Sequence, residues 1–91
     1  MVRDDIAVWM LGLLEAAADQ LGIQVRYESL DDGSGEMRLR SGACRIRGRD
    51  VIIVEKDLSP IQKGDVLVAA LKRFDFSGVY LPPAVRARLD E

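Results

Sequence analysis

A chain of 91 residues, 48% hydrophobic and 31% charged, has the composition of a globular protein with room for one modest core, which excludes disorder and a second domain. It holds no histidine and one cysteine, Cys44, so imidazole catalysis, histidine-held metal and an internal disulfide are excluded. A net charge of −2 gives no whole-molecule field to attract nucleic acid or anionic lipid, and 5% aromatic residues leave an aliphatic core.

Residues 5–21 are expected to form the first helix. Asp4 or Asp5 can cap its free amides and complement its dipole. Ile6, Trp9, Met10, Leu13, Ala17 and Leu21 recur at helical spacing, and Gly22 supplies the residue just past the end. Val8, Leu11 and Leu14 widen the apolar stripe beyond the ~100° that one core face needs, so another chain is expected to cover part of it. The acids ahead of the Ile6–Leu14 run stand where a secretory leader would be basic, and no run reaches the ~20 residues of a membrane span. With the single cysteine, the expected compartment is a reducing cytoplasm. Arginine outnumbers lysine ten to three, which reads as the codon usage of a GC-rich bacterial genome.

Residues 23–29 read as a strand with Ile23, Val25 and Tyr27 inward. The run Asp31-Asp32-Gly33-Ser34-Gly35 is a loop by composition, and residues 37–40 alternate again with Arg38 and Arg40 outward. In residues 44–47, Cys44 and Ile46 are expected inward and Arg45 and Arg47 outward. Gly48-Arg49-Asp50 reads as a tight turn into the apolar strand Val51-Ile52-Ile53-Val54, giving a hairpin of 43–47 with 51–55. Ser59 is an N-cap, Pro60 takes the first helical position and Gln62 completes a capping box, opening a helix that runs to about Phe74. Gly64 inside it costs ~1 kcal/mol against Ala and is read as a close approach to the sheet. Pro82-Pro83 starts a last short helix over 84–89. The expected fold is α+β in the order α-β-β-β-α-α. Short links make its three-stranded sheet antiparallel, with the helices packed on one face.

The stretch from Cys44 to Gln62, CRIRGRDVIIVEKDLSPIQ, continued by VLVAALKRF over 66–74, places a hairpin, an apolar strand and Leu58-Ser59-Pro60 ahead of a helix. This resembles the core of the ImmA/IrrE-type minimal zincin domain, over residues 43–74. That family carries His-Glu-x-x-His on the helix, two imidazoles one turn apart holding zinc and a glutamate acting as general base. The resemblance puts Ala69, Ala70 and Arg73 at those three places. An arginine stays protonated and does not ligate zinc. The likeness therefore implies a degenerate, metal-free frame. The segment Val79–Arg86 is also similar to the ends of short bacterial proteins, and no function comes with that likeness.

The remaining candidates are few. Asp31, Asp32, Asp50, Glu55 and Asp57 would serve a small hydrolase only if two of them faced one cleft, and turn chemistry already accounts for the first three. Gly33-Ser34-Gly35 and Gly48 are too sparse for a phosphate-cradling loop. Cys44 shares the inward period with Ile46 and reads as structural rather than as a reactive thiol. Arg38, Arg40, Arg45 and Arg47 would form a basic sheet face able to bind a polyanion such as nucleic acid, or to pair with Glu28, Glu36 and Glu55. Four apolar residues in a row at Val51–Val54 require both faces of that strand to be covered. Trp9, Val51 and Ile53 are therefore the expected contact residues, with Trp9 and Tyr80 as core or interface anchors. The expected function is a non-catalytic bacterial interaction or regulatory module, homodimeric or bound to another protein, without cofactor, metal or membrane. Polyanion binding through the arginines is the alternative, and a residual hydrolase a further one.

Overall fold

The computed structural model describes residues 2–30 and 42–91. Among the described residues, three helices and three strands follow the order α-β-β-β-α-α, and the fold class is α+β. The first helix, α1, spans Val2–Gln20. It ends where Gly22 takes φ +74°, the Gly22 N–H bonding to the Asp19 carbonyl and the Ile23 N–H to the Ala18 carbonyl at 3.0 Å each. That pair of bonds is a Schellman motif, and buried Ile23 against Ala18 provides its apolar contact. The helix thus hands the chain directly into β1, Gln24–Glu28.

Strand β2 covers Gly42–Ile46 and β3 covers Arg49–Glu55. The sheet order is β1-β3-β2, with β2 antiparallel and β1 parallel to β3. The sheet is therefore mixed, not antiparallel as expected. β3 lies between β1 and β2, so β1 and β2 are not hairpin neighbours, and the parallel pair β1–β3 is joined by a connection that contains β2. The expected strand over 37–40 lies outside the described residues. Placing β3 in the centre explains its composition: Val51, Ile52 and Val54 are all at most 2% exposed, and Ile53 is half-buried.

The β2–β3 turn is Arg47-Gly48, not Gly48–Asp50. Ile46 pairs with Arg49, and φ is +53° at Arg47 and +78° at Gly48, as a two-residue type I′ turn demands. Glycine takes that conformation freely, whereas Arg47 pays roughly 1 kcal/mol. The consequence is a reversed side-chain parity in β2. Cys44 pairs with Val51, on the face away from the helices, and is exposed, as is Ile46. Ala43, opposite Ile52, packs on the core instead.

Helix α2 spans Pro60–Leu71 and α3 spans Pro83–Leu89. The α2 start follows its capping chemistry: the Gln62 N–H donates to Ser59 Oγ at 3.2 Å and the Ser59 N–H to Gln62 Oε1 at 3.1 Å. Lys72 is its C-cap, so the helix stops before Phe74. The core is a single cluster in which Leu14, Ala17 and Ala18 of α1, Leu67, Val68 and Leu71 of α2, and Val85 of α3 meet Ile52 and Val54.

Candidate functional site

Among the described side chains of α1, the first fully buried one is Leu14. Residues 4–13 carry only exposed or half-buried side chains, although they are as apolar as the turns from Leu14 to Ala18. Ile6, Val8 and Trp9 are each 56% exposed, and Ile61 in the first turn of α2 is 41% exposed. Between these two helix starts lies an apolar groove of about 350 Å³, walled by Ile6 and Met10 of α1, Pro60 and Ile61 of α2, and Arg88 of α3. Gly64 forms part of its lining. The capping box and Pro60 fix where α2 begins, and so fix one wall. Arg88 is held at the other by Asp65 at 3.1 Å and Glu91 at 3.7 Å.

Gly64 does not mark a close approach to the sheet. It is buried, yet a Cβ built on it meets nothing within 4 Å. The glycine leaves open space in the groove.

A polar contact away from the groove joins α1, β1 and α2. The Tyr27 hydroxyl of β1 donates to the Glu15 carboxylate of α1, and Lys63 Nζ of α2 lies 5.4 Å from the centre of the Tyr27 ring. Burial first, then the bond to Glu15, pushes the Tyr27 hydroxyl well above its usual range, so it stays protonated and donating. One side chain thereby ties three elements together, with a cation–π contact on its free face. At the end of β3, the Glu55 carboxylate accepts from the Asp57 N–H at 3.0 Å and the Leu30 N–H at 3.2 Å. Those bonds hold its carboxyl below the ordinary value.

The residues expected to carry function are dispersed. Trp9 is on the surface beside the groove. Val51 is 2% exposed, so its side chain is already enclosed within the single chain, and Ile53 is half-buried. Arg38 and Arg40 lie outside the described residues. Arg45 pairs with Asp50 at 3.3 Å and donates to the Gly48 carbonyl at 2.7 Å, while Arg47 is in the turn. Arg45 and Arg47 therefore do not share a strand face. Arg26 pairs with Glu28. Asp50 is engaged by Arg45 and Glu55 by its two amides, Asp57 is exposed, and Asp31 and Asp32 lie outside the described residues. Ala69 is exposed and Ala70 buried, and Arg73 falls beyond the end of α2. Tyr80 is exposed, and its carbonyl accepts from the Gln20 side chain at 3.3 Å. Among the described residues, no three His, Cys, Asp or Glu side chains gather as metal ligands.

The sequence pattern does not disclose the groove, because it needs α1, α2 and α3 to meet. Its one local signal is the helix-interior Gly64. No family model, curated protein or solved structure matches the chain. No helix among the described residues is long and apolar enough to cross a membrane.

Proposed function

We propose that this chain is a non-catalytic bacterial module that works by protein–protein contact, and that the contact surface is the N-terminal half of α1 with the groove beside it. The observation that carries the reading is Trp9, standing 56% in water next to similarly exposed Ile6. A lone exposed apolar residue needs no explanation, but a contiguous patch of large ones bordering a groove is characteristic of an interaction surface. Tryptophan contributes most at such surfaces because it buries much area at little entropic cost. The exposed free thiol of Cys44 fits a reducing cytoplasm. The positions that the zincin likeness aligns with the metal site carry Ala69, Ala70 and Arg73, which offer no imidazole or carboxylate.

The test is a photo-cross-linking amino acid placed at position 9 in cells producing the full chain, with the same group at exposed Gln24 as control. A discrete adduct from position 9 only, with this chain or another, is the expected result. Identical diffuse background from both positions would overturn the reading.

A further inference from the structure

We draw no further inference here: the strongest candidate, the apolar groove that Ile6, Met10, Pro60 and Ile61 line between the starts of α1 and α2, carries nothing beyond the contact surface already proposed, because nothing in the structure shows what covers it.

Discussion

Within α1, Leu14, Ala17 and Ala18 are sealed in the core, while Ile6, Val8 and Trp9, one to three turns earlier, stand mostly in water. The two halves are similarly apolar, so composition does not decide which is buried. What differs is the cover. The C-terminal half is sealed in the cluster that α1 forms with α2, α3 and the sheet. The N-terminal half faces the start of α2 across a hollow that Gly64 keeps open. That uncovered apolar surface is the one the proposed contact would use.

That contrast breaks most readily at its two extremes. Leu14→Ala should cost about 2–5 kcal/mol in urea denaturation, from lost transfer energy and the cavity left behind. Trp9→Ala, at concentrations where the chain is monomeric, should cost less than about 0.5 kcal/mol despite removing a larger side chain. Comparable losses would mean that Trp9 belongs to the core and that the two halves of α1 do not differ.

A second substitution addresses the joint between the halves. Tyr27→Phe keeps the ring and its contact with Lys63 but deletes the hydroxyl that reaches Glu15. Because the acceptor is a carboxylate, the loss should be about 1.5 kcal/mol. Glu15→Gln, which leaves an acceptor in place, should lose less. If Tyr27→Phe is silent, α1 is positioned by apolar packing alone.

How much of this is legible in the sequence depends on how local the cause is. Ser59-Pro60-Ile61-Gln62 and Gly22 announce a helix start and a helix end, because caps are made by residues within one turn of each other. The mixed sheet is not legible, since nothing within Gln24–Glu28 says whether it pairs with β2 or β3. The parity of β2 is hidden for a narrower reason. The type I′ turn uses Arg47 with positive φ, where Asn or Gly would have signalled it, and a displaced turn sends Cys44 and Ile46 to the other face. For the site, the excess width of the α1 stripe is visible and so is the anomaly of Gly64. The hollow they border is not, because three separate elements enclose it.

The α2 wall of the groove offers a smaller test. Ser59→Ala removes the oxygen that accepts the Gln62 N–H and should cost about 1 kcal/mol. If the groove depends on that helix start, Ser59→Ala should also weaken cross-linking from position 9 while Leu14 remains packed. A loss of stability with cross-linking unchanged would show that the wall stands without its cap.

The smallest effect is expected from Glu55, which acts on the approach to α2 rather than on either half of α1. Its carboxylate gathers the Asp57 N–H and the Leu30 N–H, tying the turn after β3 to the chain leaving β1. Those bonds favour the charged form, so the folded-state value lies below the ordinary 4.5. A lowered carboxyl value contributes stability that is present above the unfolded value and lost as pH falls through the folded one. Urea midpoints of the wild type and Glu55→Gln should therefore differ by a constant amount near neutrality and converge below about pH 4.5. A gap that persists unchanged into acid would mean that the variant acts through shape and not through charge. Acid acting through Glu55 should loosen the approach to α2, and with it the groove, while the apolar cluster around Leu14 keeps its packing.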